Sequence, residues 1–396
     1  MKRLIFIVLA IMSMIFAAVS AAGAQTVPFG TAGEDDFGTD NPADTDIIGD
    51  TDGDGDINIL DVCLVQYVLA HIRLFDDAQQ QRADVDLNGA VESIDVTYLQ
   101  RWLVKTEGSP YIGMTVSDSL RWGRERQIMN EINSFTRSKG VDISVFNGDV
   151  DMEKLKAEGY DFVIIRLGYG DDEADQDDKM FETNVQKAEA AGLDWGAYIY
   201  SYALSENEAK SEVNHTLRLL RGKHPTMPIA FDWEDDSYKQ RMGMPSDAEV
   251  LRIASTYVNG IYNAGYYPMI YTGYSWLKGA FNDDSLFEHC DIWLAQWSTQ
   301  YDYHDRPLGM WQFGGETNFI ETPYISGLSG VFDKDYSYKN YPLIIKAYGY
   351  NNHEPLLRSY VSTGAGYDDG IKAKSENLPP ECNGVMGNSL RNGTIQ

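Results

Sequence analysis

Two carboxyl groups lie close together in the sequence at the expected end of a buried strand. Asp232 and Glu234 flank Trp233, and the two-residue period of a strand places both carboxyls on one face. Hydrolysis of a glycosidic bond uses such a pair, with one carboxyl protonated as the acid and the other ionised beside the developing sugar cation. Neighbouring carboxylates also push each other's pKa values apart, which helps one of them hold a proton. A solvated strand end or a cation site would explain the same spacing.

A second set of acidic side chains has the spacing of calcium ligands. The first ligand set is Asp50, Asp52, Asp54, Asp56, Asn58 and Asp61. Asp56 stands at the seventh loop position, which contributes its backbone carbonyl. The spacing recurs later in the chain with Asp84, Asp86, Asn88, Ala90, Glu92 and Asp95. Each loop has a glycine at its sixth position for the sharp turn, and Ca²⁺ takes about 6–8 oxygen ligands. An acidic run on a solvated face explains one such loop, but two in register indicate two calcium sites.

The composition restricts the class of protein. The chain has 396 residues, 43% of them hydrophobic, which is enough for a barrel domain and a smaller module. Its formal net charge is −28, which argues against nucleic acid or an anionic membrane as the main partner. The cysteines are too few for a disulfide scaffold and lack a zinc-binding spacing. They are Cys63, Cys290 and Cys382.

The N-terminus has the layout of a secretory signal. Lys2 and Arg3 precede an apolar segment at 4–18, and the small residues 22–24 resemble a cleavage site. The apolar segment is shorter than the ~20 residues of a spanning helix, which argues against an uncleaved anchor. We therefore expect cleavage after Ala24 and an exported, soluble protein.

Short apolar segments beyond residue 138 are typical of strands. They are 141–145, 162–167, 195–202, 228–233, 267–272, 291–297, 310–313 and 331–333. Helical patterns separate the first five, and alternating strands and helices favour a parallel sheet closed into a barrel. The last connections have no helical period. We therefore expect an α/β fold, an irregular TIM-like (β/α) barrel whose last strands lack helices.

Reactive groups of such barrels lie at the C-terminal ends of the strands. Asp142 lies on the first expected strand and Asp333 on the last, while Asp232 and Glu234 end the fourth. These four carboxyls are therefore the candidate reactive groups of the barrel.

The duplicated calcium loops resemble the dockerin family. Each loop runs into a helical pattern, at 62–70 and 96–104, and its twelfth position is Asp rather than the Glu of ordinary EF-hands. The resemblance covers 46–105 and implies a small all-α module with two EF-hand-like loops and two structural Ca²⁺ ions. It also implies docking onto a cohesin module of a scaffold protein, as in cellulosome-type assemblies. The cohesin-facing positions of the family correspond to Ile59, Leu60, Ser93 and Ile94. The two pairs differ chemically.

The larger module resembles the family 25 glycoside hydrolases, which are lysozymes. The matching segments occur in the family's order: Gly140-Val141-Asp142-Ile143-Ser144, Gly168-Tyr169-Gly170, Gly196-Ala197-Tyr198, Asp232-Trp233-Glu234, Gln296-Trp297, Trp311-Gln312-Phe313 and Asp333. The resemblance spans 139–342. It implies cleavage of the β-1,4 bond between N-acetylmuramic acid and N-acetylglucosamine in peptidoglycan, with no cofactor for catalysis.

The resemblance also implies roles for individual residues. Glu234 is the general acid, and Asp232 either polarises the 2-acetamido group of the substrate or acts as base. Asp142 and Asp333 line the subsite that binds the sugar being cleaved. The expected sugar contacts are Tyr198, Trp297 and Gln312. Aromatic packing would explain the first two equally well.

Other functions were compared with this one. A family 18 chitinase also ends a strand in D-x-E, but it has a further aspartate where this chain has Ala230. A catalytically inactive barrel docked on a cohesin scaffold would bind the cell wall without cutting it. The four carboxylates argue against that alternative. In a third possibility, docking is the main function and the barrel is cargo.

The sequence predicts the following domain order. It runs from a signal peptide (1–24) through an acidic linker (25–45), the dockerin (46–105), a connector (106–138) and the catalytic domain (139–342) to a C-terminal tail (343–396). The spacing of Ile128, Ile132 and Phe135 indicates a helix in the connector. The composition of the tail fits either a small fold or a disordered segment.

Overall fold

The computed structural model describes residues 46–106 and 108–357. The expected signal peptide and acidic linker lie outside the described residues, as does the chain from 358 onward with Cys382. No helix in the described part is long and apolar enough to cross a membrane. Contacts divide the chain into two compact units, with the boundary between Gln127 and Ile128.

The first unit is built from short helices that follow its two acidic loops. The helices are α1 (Ile59–Leu69), α2 (Asp77–Ala83) and α3 (Ser93–Leu103). Just before α1, the N–H of Asn58 donates to Asp61 at 2.8 Å, and just before α3, that of Glu92 donates to Asp95 at 2.8 Å. Apolar side chains of α1 and α3 pack together in the core of this unit. The expected all-α module with two loops is confirmed.

The connector contains the helix that the sequence predicts. Helix α4 spans Val116–Ser134. Ile128 is buried against Ala347 and Leu357, and Ile132 packs on the same cluster. Phe135 lies just beyond the last residue of the helix.

The second unit contains a closed barrel of eight strands. They are β1 (Ser138–Ile143), β2 (Phe162–Tyr169), β3 (Asp194–Tyr200), β4 (Ile229–Trp233), β5 (Pro268–Gly273), β6 (Asp291–Ala295), β7 (Met310–Gly314) and β8 (Asp333–Ser337). Neighbours from β1 to β7 pair in parallel, whereas β8 is antiparallel to both β7 and β1. The expected irregular α/β barrel is confirmed.

The barrel helices follow the pattern predicted from the connections. They are α5 (Met152–Ala157), α6 (Phe181–Ala191), α7 (Glu206–Leu220), α8 (Ser237–Met242), α9 (Asp247–Asn263), α10 (Tyr274–Lys278) and α11 (Tyr341–Tyr348). The described residues between β6 and β7, and between β7 and β8, contain no helix. The last strands therefore lack their helices, as expected.

The position and direction of β8 differ from the sequence-based expectation. We expected a strand at 331–333, but it spans Asp333–Ser337 and runs antiparallel to β7. Because β8 is antiparallel to β7, it begins at the same rim of the barrel at which β7 ends. Asp333 is consequently the first residue of its strand, and it still lies at the rim where the parallel strands end.

The beginning of the expected C-terminal tail packs on the barrel. In helix α11, the Tyr341 hydroxyl donates to Asp291 of β6 at 2.7 Å, and Ile345 is buried. Farther on, the Asn351 side chain accepts a hydrogen bond from the Tyr267 N–H at 2.8 Å. The chain from α11 to residue 357 is therefore an ordered part of the second unit.

Candidate active site

The four candidate carboxyls come together at one end of the barrel. Asp142, Asp232, Glu234 and Asp333 all line a cavity of about 340 Å³. Asp142 and Asp333 are direct cross-strand partners on β1 and β8. Strands contributed by distant parts of the sequence thus place four acidic groups around one space.

Strand β4 positions the Asp232–Glu234 pair. All five of its residues are buried, which fixes the strand between β3 and β5. The Trp233 side chain belongs to the main apolar core and lies 5.8 Å from the Trp276 ring. Because neighbouring side chains of a strand point to opposite faces, burial of Trp233 directs Asp232 and Glu234 into the cavity.

Gln312 holds Asp142 in place. Its side-chain amide donates to Asp142 Oδ2 at 2.8 Å, while its carbonyl oxygen accepts from the Tyr271 hydroxyl at 3.0 Å and the Trp297 indole N–H at 2.9 Å. These bonds occupy the polar atoms of Gln312 and orient its donor toward the carboxylate. Of the expected sugar contacts, Tyr198 and Gln312 line the cavity. Trp297 is not among the lining residues, but its indole N–H is hydrogen-bonded to Gln312.

The sequence analysis missed a fifth carboxyl beneath this site. Asp335 is completely buried and accepts a hydrogen bond from the Trp293 indole N–H at 2.8 Å. Its side chain also interacts with that of Asp142, which lowers the pKa of Asp142 and raises that of Asp335. Asp333 and Asp335 are two residues apart on a strand, so the spacing argument used for Asp232 and Glu234 would have identified this residue.

Burial and mutual repulsion favour protonated forms in the site. Burial, followed by the charge of Asp333, holds the pKa of Asp142 well above its usual range. Burial and the charges of Glu234 and Glu316 raise the pKa of Asp333 to about 6. In the free protein both effects make these carboxyls harder to ionise than they are in water.

The side chains of Asp232 and Glu234 interact directly. Burial raises the pKa of both carboxyls, and a hydrogen bond between them raises that of Asp232 further while lowering that of Glu234. Asp232 is only 4% exposed, whereas Glu234 is half-buried. Glu234 is therefore the member of the pair that solvent or a ligand can reach.

Gly315 is expected to be essential for the position of Asp333. A Cβ atom at residue 315 would overlap Asp333 Oδ1 and approach the Trp297 ring at 2.6 Å. Gly315→Ala should therefore displace this carboxyl. It should lower the kcat of a reaction that uses Asp333 about 10²-fold, since misplacing a reactive group by ~1 Å has an effect of that order. The matched control is Gly273→Ala, whose Cβ meets open space. Equal rates for the two variants would show that activity does not require a glycine beside Asp333.

Asp335→Asn should preserve the fold and change how the stability of the protein depends on pH. Asparagine can accept the Trp293 bond and donate to Asp142, as the protonated carboxyl does. The pKa of Asp335 is raised well above its usual range, mainly by burial, so wild-type stability falls as pH rises through that raised value. The Tm advantage of Asp335→Asn should thus grow with pH in thermal scans. Asp335→Ala should lose about 1–3 kcal/mol, because the Trp293 N–H loses its acceptor.

The two acidic loops of the first unit have parallel geometry. Asp50 Oδ2 accepts from the Gly55 N–H at 2.8 Å, and Asp84 Oδ2 accepts from the Gly89 N–H at 2.9 Å. Carboxylate oxygens close enough to share one metal ion come from Asp50, Asp52 and Asp54 in the first loop, and from Asp84, Asp86 and Asp95 in the second. Asp61 is fully buried at the position equivalent to Asp95 but is not in the first of these groups.

The second loop shows why a cation would stabilise this unit. Burial raises the pKa of Asp84 to about 6 and that of Asp95 to about 7, and the neighbouring charge of Asp86 raises both. Carboxylates that resist ionisation in the metal-free protein are relieved by a divalent cation. The oxygen-only donor set suits Ca²⁺.

The expected cohesin-facing positions lie at the starts of α1 and α3. Ile59 and Leu60 are exposed on the first turn of α1. Ser93 is exposed on α3, while Ile94 is half-buried. The two repeats therefore present different side chains at equivalent places.

Comparison with known proteins finds a family match for both modules. Residues 141–322 match the family model for glycosyl hydrolases family 25, and residues 48–104 match that for the dockerin type I domain. No curated protein is significantly similar to the chain.

Several solved structures resemble this chain. The modular autolysin LytC from Streptococcus pneumoniae is 24% identical with a TM-score of 0.45, covering 51% of this chain and 47% of its own. A family 25 glycosyl hydrolase from Bacillus anthracis is 21% identical with a TM-score of 0.43, covering 51% and 88%. A lysozyme of the same family from Aspergillus fumigatus is 22% identical with a TM-score of 0.41, covering 51% and 94%. The matched region spans about half the length of the autolysin.

The family matches confirm both resemblances drawn from the motifs. The match to family 25 includes Asp142, Asp232 and Glu234, and the dockerin match includes both acidic loops. Residues 141–322 are therefore similar to glycoside hydrolases of family 25, and residues 48–104 are similar to type I dockerin domains.

Proposed function

We propose that the barrel is a muramidase that cleaves the β-1,4 bond between N-acetylmuramic acid and N-acetylglucosamine in peptidoglycan. The observation that carries this proposal is the convergence of Asp142, Asp232, Glu234 and Asp333 on one cavity. Glycoside hydrolysis needs a proton donor and negative charge beside the sugar cation, and these groups can supply both. Similarity to family 25 supports the choice of bond.

Glu234 is the general acid of the proposed reaction. It is more exposed than Asp232, so it can reach the glycosidic oxygen of a bound chain. As the bond from the anomeric carbon to this oxygen breaks, the oxygen takes the proton and the leaving sugar departs as an alcohol. Glu234 is left ionised and able to accept a proton from the incoming water.

Asp232 orients the acetamido group of the substrate. Its Oδ1 is buried and has no hydrogen-bond partner among the described residues, so it can accept the substrate amide N–H. That hydrogen bond favours the ionised form of Asp232, so a proton carried by the pair is then held on Glu234. Substrate binding would thereby prepare the acid. The unpartnered oxygen favours this role of Asp232 over that of a base.

Asp142 and Asp333 stabilise positive charge at the anomeric carbon. Their cross-strand pairing brings two carboxyls to the wall of the cavity, and Gln312 holds Asp142 in place. In a cavity with little water, a fixed negative charge stabilises an oxocarbenium-like transition state more strongly than it would in solution.

The dockerin domain is proposed to attach this enzyme to a scaffold outside the cell. Its two acidic loops would hold structural Ca²⁺, and the first turns of α1 and α3 would contact a cohesin module through Ile59, Leu60, Ser93 and Ile94. The signal-like N-terminus supports export. The proposed enzyme thus acts extracellularly, from a scaffold assembly.

The proposed function is tested by incubating the purified protein with peptidoglycan and, separately, with chitin. The expected result is release of soluble fragments and new reducing ends from peptidoglycan, with chitin cut far more slowly. Sedimentation with the insoluble polymer measures binding in the same samples. Binding without release would make the barrel a wall-binding module, and faster release from chitin would assign it a different bond.

A further inference from the structure

A buried lysine lies directly behind the catalytic end of β4. The Lys239 side chain, on α8, is 0% exposed. Its Nζ donates to the backbone carbonyl of Ser201 at 2.7 Å, to that of Glu234 at 3.2 Å and to Asp236 Oδ2 at 2.6 Å. One ammonium group therefore links the end of β3, the catalytic residue after β4 and the loop that begins α8.

Aromatic rings complete the surroundings of this ammonium group. Nζ lies 4.7 Å from the ring centroid of Trp233, 5.5 Å from that of Tyr200 and 5.9 Å from that of Tyr202. Lysine is rarely buried unless it is paired, and cation–π contacts and three acceptors offset its desolvation here. Because this positive charge is fixed close to Asp232 and Glu234, it favours the ionised forms of both carboxyls.

We infer that Lys239 is a positioning residue for the Asp232–Glu234 pair. It fixes the backbone at Glu234, and its charge sets the pH range in which the pair can deliver a proton. This inference rests on the proposed hydrolase function. It adds a residue of α8 that the sequence motifs do not include.

The other groups around the pair come from several elements. The titratable and charged groups that face it are Asp142 of β1, Tyr198 and Tyr200 of β3, Asp236, Tyr271 of β5 and Asp333 of β8. Arg166 of β2 and Glu316 line the same cavity. Lys239 also faces the buried Glu212 of α7, and it is a cation whose charge acts on both carboxyls of the pair.

The charges of Lys239 and Asp236 act in opposite directions. The positive charge of Lys239 lowers the pKa of both Asp232 and Glu234, whereas the negative charge of Asp236 raises the pKa of Glu234. Removing either charge should therefore move the pH profile of hydrolysis, with opposite signs for the two variants.

The test compares Lys239→Met with Asp236→Asn. Methionine keeps the length of the side chain without its charge, so both limbs of the kcat profile should move to higher pH by about one unit. Asparagine can still accept the Lys239 N–H that caps α8, so Asp236→Asn should stay folded and shift the profile to lower pH. Asp235→Asn makes the same charge change at an exposed neighbour, and its profile should not move.

The measurements separate an electrostatic role from a merely structural one. A structural role predicts lower kcat or Tm with an unshifted pH profile, and that result would overturn the inference. If Lys239→Met fails to fold, Lys239→Gln decides, because it keeps a hydrogen-bond donor without the charge, and an unshifted or downward-shifted profile contradicts the inference. Carbon-13 titration of the Glu234 carboxyl, assigned by its loss in Glu234→Gln, reads the same pKa shifts without activity. The inference can thus be tested even if the proposed function fails.

Discussion

Glu234→Gln is expected to lower kcat for peptidoglycan hydrolysis about 10³-fold while leaving substrate binding nearly unchanged. General acid catalysis contributes about 10²–10⁴-fold, and the glutamine amide cannot supply the proton. The change preserves side-chain size, so the fold should be retained. The measurement is kcat and KM on soluble peptidoglycan fragments, together with sedimentation on the insoluble polymer.

A matched variant checks whether this loss is specific. Glu316→Gln makes the same change at an exposed carboxyl of the same rim, and its rate should change by no more than a few-fold. If both variants lose activity alike, general negative charge matters more than one acid. If neither loses activity, Glu234 has no part in the reaction.

Removal of calcium is expected to destabilise the dockerin domain while the stability of the barrel is unchanged. Buried carboxylates in the acidic loops repel one another without a cation, and the small core of this unit cannot compensate. A ligand present at ~1,000 times its Kd contributes about 4 kcal/mol. Calorimetry should therefore show two unfolding transitions, and EGTA should lower the Tm of only the dockerin transition. Hydrolysis by the barrel should continue.

The direction of the pH effect without calcium follows from the raised pKa values. The pKa of Asp84 is about 6 and that of Asp95 about 7, so the stability of the metal-free unit is lost as pH rises through 6–7. In EGTA the dockerin transition should occur at a higher temperature at pH 5 than at pH 8. Asp84→Asn should weaken calcium binding in titration calorimetry, whereas Asp77→Asn, at an exposed position on α2, should not. A single transition insensitive to EGTA would contradict the calcium requirement.

The sequence predicts the four site carboxyls because their chemistry depends on local spacing. Asp232 and Glu234 are two residues apart on a strand, and the ends of parallel strands meet at one rim of a barrel. Alternation of strands and helices predicts the barrel. The missing helices of the last strands follow from connections without a helical period.

Features that depend on long-range packing were not predictable in this way. The direction of β8 depends on how the chain turns back after β7, and the ordered turn after α11 depends on contacts of Tyr341 and Asn351 with the barrel. Lys239 lies in a short polar segment whose sequence predicts exposure to solvent. Its burial behind β4 becomes evident only in the folded structure. The hydrogen-bonding role of Gln312 likewise needs Tyr271 of β5 and Trp297 of the loop after β6.

The most direct test of the central proposal is the identity of the reducing ends released from peptidoglycan. The purified protein is incubated with purified peptidoglycan, the fragments are reduced with borohydride, and the reduced sugar is identified by mass spectrometry, with Glu234→Gln in parallel. Cleavage of the proposed bond gives muramitol from the wild type and none from the variant. Glucosaminitol as the product, or equal release by both proteins, would contradict a muramidase that uses Glu234 as its acid.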